Sequence, residues 1–179
     1  NILLLGIGGP GHDGPYLTDT IILASIRPKE RDISLISIPR DLLVEIPGVG
    51  ARKINEVDAF GELKEPGAGG EAVRKSLSDV LNMDIPYYAR VDFSGFRKIV
   101  NDLGGVMIDA PQTFTDYFYP TMDYGYQTIG FAAGKQLMSG ERALQFVRSR
   151  HGTNGEGSDF ARSRRQQLLM AAMKDRIFS

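Results

Sequence analysis

The 179-residue chain contains no cysteine, which excludes disulfides, thiolate zinc sites and cysteine nucleophiles. It also lacks any apolar run approaching the ~20 residues that a membrane-spanning helix needs. Charge of one sign is not in excess. Lys and Arg number 21 against 22 Asp and Glu, for a formal net charge of -1, and the pI is about 6.2. Coating of nucleic acid by bulk charge is therefore excluded, and the basic residues matter locally. With 42% hydrophobic and 24% charged residues, the composition is that of a folded globular chain. The length suits one domain that buries about 70% of its unfolded surface. The chain opens directly on an apolar strand, Ile2–Ile7, so an excised domain with its natural N-terminus upstream is expected.

The elements follow from periodicity. "NILLLGI" is a continuous apolar run, read as a strand buried on both faces. A Gly/Pro-rich loop, "GGPGHDGPY", precedes the strands "TIILASIR" and "DISLISI", which the turn "PKER" joins. "PRDLLVEIPGVGARKINEVDAFG" reads as an irregular connection broken by Pro39, Pro47 and glycines. Val73, Leu77, Val80 and Leu81 keep helical spacing over residues 71–81. "YYARVDF" is strand-like. Ser94 is the expected N-cap of a helix with the stripe Phe96, Ile99, Val100 and Leu103, ended by Gly104 and Gly105. "VMIDA" is a further strand. Residues 114–134 are aromatic-rich and weakly periodic, a long loop or a hairpin. "SGERALQFV" reads as a helix capped by Ser139, and the segment from Asp159 onward as a helix without internal Gly or Pro. Strands mixed with helices predict an α/β fold: a central mixed β-sheet flanked by helices on both faces, three layers in a single domain.

Basic residues concentrate in "FVRSRHGTNGEGSDFARSRRQQ", which carries Arg148, Arg150, Arg162, Arg164 and Arg165. In the last helix Asp159, Arg162, Gln166, Leu169 and Met173 fall at i, i+3, i+7, i+10 and i+14, one stripe that is polar first and apolar afterwards. Anchoring of its apolar half aims Arg162 and Gln166 inward, near a helix N-terminus that favours an anion. The plain alternative makes Asp159 an N-cap and leaves the arginines solvated, as Arg164 and Arg165 are expected to be. Arg148 and Arg150 alternate. If the segment is extended they share a face, and such a pair grips two phosphates bidentately.

Other motifs are weaker. "GIGGPG" matches G-x-G-x-x-G, but Pro10, Gly14 and Pro15 interrupt it and a strand follows, so a loop is expected rather than a dinucleotide turn. Asp19, in "LTDT", is a turn cap or else a metal-binding or catalytic carboxylate at the sheet edge. Arg40 and Asp41, in "IPRD", follow a strand, where α/β folds place their sites; a local surface pair of Arg40 with Asp41 or Glu45 is the alternative. His12 and His151 have no metal spacing and read as surface residues.

Taken together and in order, "NILLLGI", "TDTIIL", "ISLISIPRDLLVEIPG", "KINEVDAFG", "YYARVDFSGFRKIVNDLGGV", "GKQLMSGERALQFVRSR" and "DFARSRRQQ" resemble the LytR-CpsA-Psr family over nearly the whole chain, residues 1–179. The resemblance implies a bacterial domain outside the cytoplasmic membrane, tethered by an upstream membrane helix. It implies a phosphotransferase that moves a glycopolymer from a polyprenyl diphosphate carrier to peptidoglycan or a related wall acceptor. It makes Asp19 a carboxylate for Mg²⁺ (or Mn²⁺) and makes Arg40, Arg148, Arg150 and Arg162 diphosphate ligands. Asp159 and Gln166 complete that pocket, and Asp41, Lys53 and Asn55 lie in or beside it. Asp19, Arg40 and Asp41 are the expected catalytic residues.

The sequence departs from the family pattern at two places. Gly8 stands where an acidic residue is expected, and Leu17 where an arginine often precedes the Asp19 motif. Asp13 is assigned as the substitute second metal carboxylate. A polyprenyl diphosphate hydrolase and a non-catalytic lipid-diphosphate binder are the alternatives. No nucleic-acid partner is expected, and a monomer is. Val73, Leu77, Val80 and Leu81 are candidates for a prenyl-tail groove as well as for ordinary core, and the aromatic segment 114–131 either shapes the sugar acceptor side or closes over the core.

Overall fold

The computed structural model describes residues 1–30, 32–121 and 123–177. Two compact units are present, Asn1–Phe93 and Ser94–Ser179.

The first unit is built on β1 (Ile2–Ile7), β2 (Thr18–Arg27), β3 (Asp32–Ser37), β4 (Leu43–Ile46), β5 (Gly50–Lys53), a 3₁₀ turn (Ile54–Glu56), α1 (Val57–Lys64), α2 (Gly69–Leu81) and β6 (Tyr87–Asp92). The sheet order is β3-β2-β1-β6. β1 runs antiparallel to β2 and parallel to β6, so the expected α/β class with a mixed central sheet stands. Along β1, Leu3, Leu5 and Ile7 are buried in alternation, the period of one strand face. Leu3 and Leu5 share a core with Ile21, Leu23, Val44, Ile54, Val57, Val73, Leu77 and Ile85.

Two expectations change in this unit. Residues 39–61 are not irregular: β4 and β5 pair as a hairpin and α1 follows. Short strands punctuated by Pro47, Gly48 (φ 80°) and Gly50 (φ 93°) hid the pairing. Gly61 stands inside α1 for a packing reason, since a Cβ there would lie 2.8 Å from Gly69 Cα of α2. Only the first half of the α2 stripe is buried. Val80 is 48% and Leu81 37% exposed, because the helix stops at Leu81, where Asn82 (φ 46°) turns the chain.

The second unit comprises α3 (Phe93–Asp102, starting on the last residue of the first unit), β7 (Val106–Ala110), β8 (Phe114–Pro120), β9 (Tyr126–Phe131), β10 (Gly134–Met138), α4 (Gly140–Arg148) and α5 (Asp159–Ile177). β7 pairs with β10, and β8 with β9, both antiparallel. Residues 114–134 therefore form a hairpin rather than a long loop. Its rings build the core: Phe114 stacks on Phe131 at 5.0 Å, and Phe146 of α4 meets Phe131 edge-on at 5.2 Å.

Ser94 is not a cap, because β6 runs directly into α3 and the helix already includes Phe93. Gly104 (φ 75°) and Gly105 (φ 88°) end α3 as expected, with Gly105 N bonded to Val100 O at 2.9 Å. Ser139 caps α4, its Oγ accepting from Arg142 N at 3.4 Å.

α4 meets α3 closely at Gly140, where a Cβ would lie 2.7 Å from Arg97 Cα, a backbone atom that cannot rotate away. Gly140→Ala is expected to cost about 1–3 kcal/mol of stability, read in thermal unfolding as a drop of roughly 5 °C. An unchanged midpoint would show that the two helices have room to separate.

Candidate anion-binding site

In the first unit, Asp19 is the second residue of β2, and Arg40 and Asp41 turn the chain after β3. Arg40 Nη1 donates to Asp19 Oδ1 at 2.7 Å, while its Nε lies 3.7 Å from Asp41 Oδ2. Arg40 is thus tied more closely to a carboxylate of the neighbouring strand than to its own neighbour in sequence. Lys53, the last residue of β5, donates from Nζ to Asp41 Oδ1 at 2.6 Å. Backbone bonds fix this arrangement: Ile54 N to Leu42 O at 2.7 Å and Asn55 N to Arg40 O at 3.2 Å. The β4–β5 hairpin therefore returns Lys53 and Asn55 to the Arg40–Asp41 turn. Asn55 is buried, and its Oδ1 has no hydrogen-bond partner among the described residues. The structure brings together Asp19, Arg40, Asp41, Lys53 and Asn55.

The segment between β1 and β2 is a loop, as expected, and Asp13 is exposed in it. At Gly8 a Cβ would meet His12 Cβ at 3.0 Å, so His12 packs where a side chain would stand. His12 itself is half-buried, edge-on to Phe93 at 4.8 Å, rather than a plain surface residue. His151 is exposed.

Among the described residues no group of three or more His, Cys, Asp and Glu is arranged to hold a metal ion. Asp19, with 41% of its side chain exposed and a guanidinium on one oxygen, does not make an all-protein cage. It does fit a Mg²⁺ that takes one or two carboxylates and completes its shell with substrate phosphate oxygens.

In the second unit, Arg148 is the last residue of α4. Its Nη1 donates to Tyr119 Oη at 3.1 Å, and the guanidinium carbon lies 5.4 Å from that ring's centre. The segment is helical through Arg148, since Ser149 N still bonds Gln145 O at 3.1 Å. The alternation expected for an extended Arg148–Arg150 pair is therefore absent. Arg148 leaves the end of a helix, and Arg150 leaves the loop beyond it.

Ser158, not Asp159, caps α5, its Oγ accepting from Ala161 N at 3.1 Å. Asp159 is the first helical residue and pairs with Arg162 at 2.8 Å. Arg162 and Gln166 are each 8% exposed and Leu169 3%, so the stripe faces inward as expected.

Arg165 contradicts its expected solvation: it is fully buried. Its Nε donates to Phe146 O at 2.8 Å, Nη2 to Ser149 O at 2.6 Å, and Nη1 to Glu156 O at 2.8 Å and Glu156 Oε2 at 2.5 Å. Glu156 is buried too, and the half-exposed Arg164 also pairs with it. Burial pushes the Arg165 pKa down against the upward pull of Glu156. The buried face of α5 is wider than a single stripe. Ala161, Arg165 and Leu169 form a second row at i, i+4 and i+8, giving the wider face of a packed helix. Arg165 ties the first turns of α5 to the last turn of α4 and to Ser149, the residue between Arg148 and Arg150.

Asp116 was not singled out by any sequence feature. It is 1% exposed, and its Oδ2 accepts from Ser149 Oγ at 2.7 Å, Arg150 N at 3.1 Å and His151 N at 3.2 Å. Oδ1 accepts from Phe118 N at 2.9 Å. Burial alone raises the pKa of its carboxyl, but the bonds from Ser149, Phe118, His151 and Arg150 outweigh that and hold it below the usual carboxylate value.

The LytR_cpsA_psr family model matches residues 1–179, the whole chain. A polyisoprenyl-teichoic acid–peptidoglycan teichoic acid transferase, TagU of Oceanobacillus iheyensis, is 34% identical over 98% of this chain and 51% of its own length. The crystal structure of Bacillus subtilis TagV is similar with a TM-score of 0.74 at 29% identity, covering 98% of this chain and 63% of that one. A structure of TagT bound to LI-WTA has a TM-score of 0.71 at 26% identity, over 98% of this chain and 62% of that one. The chain spans about half the length of the curated relatives it matches. With the motif order, the mixed sheet and the match over its full length in agreement, this chain belongs to the LytR-CpsA-Psr family.

Proposed function

We propose that this domain is a Mg²⁺-dependent glycopolymer phosphotransferase, acting at the outer side of the bacterial cytoplasmic membrane. Its donor is a polyprenyl diphosphate-linked glycan and its acceptor is peptidoglycan or a related wall polymer. The observation that supports the reading is the burial of Arg162 and Gln166 in the N-terminal turns of α5, a helix that Arg165 ties to the end of α4 and to Ser149, between Arg148 and Arg150. Guanidinium groups gathered at a helix N-terminus suit a dense anion. The transferase name of the Oceanobacillus relative supports the same chemistry.

Phosphoryl transfer asks a protein mainly for positioning and charge stabilisation. In the second unit Arg148, Arg150 and Arg162 bind phosphate oxygens, with Asp159 orienting Arg162 and Gln166 donating from its amide; in the first, Arg40 binds phosphate oxygens beside Asp19. The acceptor hydroxyl oxygen forms a new bond to the sugar-linked phosphorus. The bond from that phosphorus to the bridging oxygen breaks, and polyprenyl phosphate leaves with the electron pair. The hydroxyl proton passes to Asp19 or Asp41, and a sugar phosphodiester results. Asp19, with phosphate oxygens, would hold Mg²⁺ (or Mn²⁺), which supplies charge neutralisation when bound. Lys53 and Asn55 brace the Arg40–Asp41 turn. The exposed rings of the β8–β9 hairpin, Tyr117, Phe118 and Tyr126, serve the glycan side. The domain works as a monomer.

Incubation with a short-chain polyprenyl-diphosphate oligosaccharide, Mg²⁺ and peptidoglycan fragments tests this. Glycan is expected to become linked to the fragments, and omitting them is expected to stop turnover. Glycan release without acceptor would make the protein a hydrolase, and binding without turnover would make it a lipid-diphosphate binder.

A further inference from the structure

We infer that Asp116 is a positioning residue for the anion-binding arginines, holding Arg150 and the end of α4 in the geometry that receives the diphosphate; the inference rests on the proposed function. No ligand reaches the carboxylate itself, which is 1% exposed. Its bonds go instead to the backbone on either side of the arginine loop. One oxygen gathers Ser149 Oγ, Arg150 N and His151 N, and the other takes Phe118 N from its own strand.

Asp116 sits where a carboxylate is otherwise unfavourable. The segment it holds follows directly on the C-terminus of α4, the negative end of the helix dipole. Removal of a carboxylate from water is a further cost. Only an ionised carboxylate accepts on both oxygens at once, as the donors on either side require; an amide of the same shape must turn its own donor toward one side. That requirement accounts for a buried charge at an unfavourable end of a helix.

The strand that carries Asp116 is shaped for the same task. The β8–β9 register shifts between Asp116 and Tyr119, and such bulges re-aim side chains beside functional sites. Across this irregularity Asp116 takes the backbone of Arg150, and Tyr119 Oη takes the guanidinium of Arg148. Asp116 also bridges Gly152, Thr153 N bonds Thr115 O at 2.9 Å, and Thr115 N bonds Thr153 Oγ1 at 3.0 Å. A loop containing Gly152, Gly155 and Gly157 is in this way pinned to β8 by one isolated bridge and the Thr115–Thr153 bonds. Arginines on so glycine-rich a segment would otherwise lose much conformational freedom on binding, and prior ordering removes that cost from the binding step.

A double-mutant cycle read by calorimetric titration with inorganic pyrophosphate tests the inference. Asp116→Asn is expected to weaken pyrophosphate binding roughly tenfold, and to have little further effect in the Arg150→Ala background, because residues that act through one another are not additive. Equal losses on both backgrounds, or unchanged affinity with a lowered unfolding temperature, would overturn it and leave Asp116 a stabilising residue only. Should Asp116→Asn fail to fold, Ser149→Ala removes one of the carboxylate's donors and carries the same test. A roughly threefold loss coupled to Arg150 is then expected, and an additive loss or none overturns the inference. If the unmodified protein does not bind pyrophosphate at all, the proposed function falls first and takes this inference with it.

Discussion

Arg162→Ala is expected to lower kcat/KM for glycan transfer by roughly 10- to 150-fold, the loss of one charge-assisted contact of about 1.5–3 kcal/mol. The side chain is 8% exposed and stands in the first turn of α5. Its partner Asp159 has 72% of its side chain exposed, so the pair contributes little to stability. The loss should therefore appear in rate and leave the unfolding midpoint almost unchanged. Arg148→Ala is expected to behave alike, with an added loss of its stacking on Tyr119. Arg164→Ala serves as the contrast. That side chain is half exposed and turned to Glu156, and its removal should change the rate by less than about twofold. Equal losses for Arg162 and Arg164 would mean a diffuse cationic surface rather than a site.

The largest effect on stability is expected at Glu156. Alanine there leaves Arg165, fully buried, without its carboxylate, and breaking a buried pair from one side costs about 3–5 kcal/mol. In a chain of this size that is a fall in unfolding temperature of roughly 10 °C. Replacing Glu156 and Arg165 together by apolar residues of similar volume should recover most of the loss, because both desolvation costs disappear with the charges. The remaining cost reflects the carbonyls of Phe146, Ser149 and Glu156, which Arg165 satisfies. Differential scanning calorimetry of the three variants decides it. A single-variant shift below about 2 °C would show that other groups close this corner.

Strands and helices with unbroken apolar periodicity were legible from sequence: β1, β2, β3, the first half of α2, β7, α4 and α5 all lie where their patterns place them. The β4–β5 hairpin was not, because strands this short leave too little alternation for a pattern to emerge between Pro47, Gly48 and Gly50. The burial of Arg162 and Gln166 was legible as a polar pair on a core stripe, whereas Arg40 and Asp41 alone read equally as a surface pair and became candidates through the family resemblance. Residues that hold the site were not legible. Asp116, Glu156 and Arg165 are linked by contacts between hairpin, loop and helix, which carry no local period. For Arg165 a signal existed in its i, i+4 spacing with Ala161 and Leu169, and it was outweighed by the expectation that a guanidinium stays in water.

On the proposed function, Arg148, Arg150 and Arg162 recognise a diphosphate rather than any anion. Titration of the protein with a short-chain polyprenyl diphosphate and with the matching monophosphate tests it most directly. The diphosphate is expected to bind at least roughly tenfold more tightly, and Arg150→Ala should erase most of that preference. Equal affinity for the two lipids, or a preference that survives Arg150→Ala, would contradict the assignment of this corner as the diphosphate site.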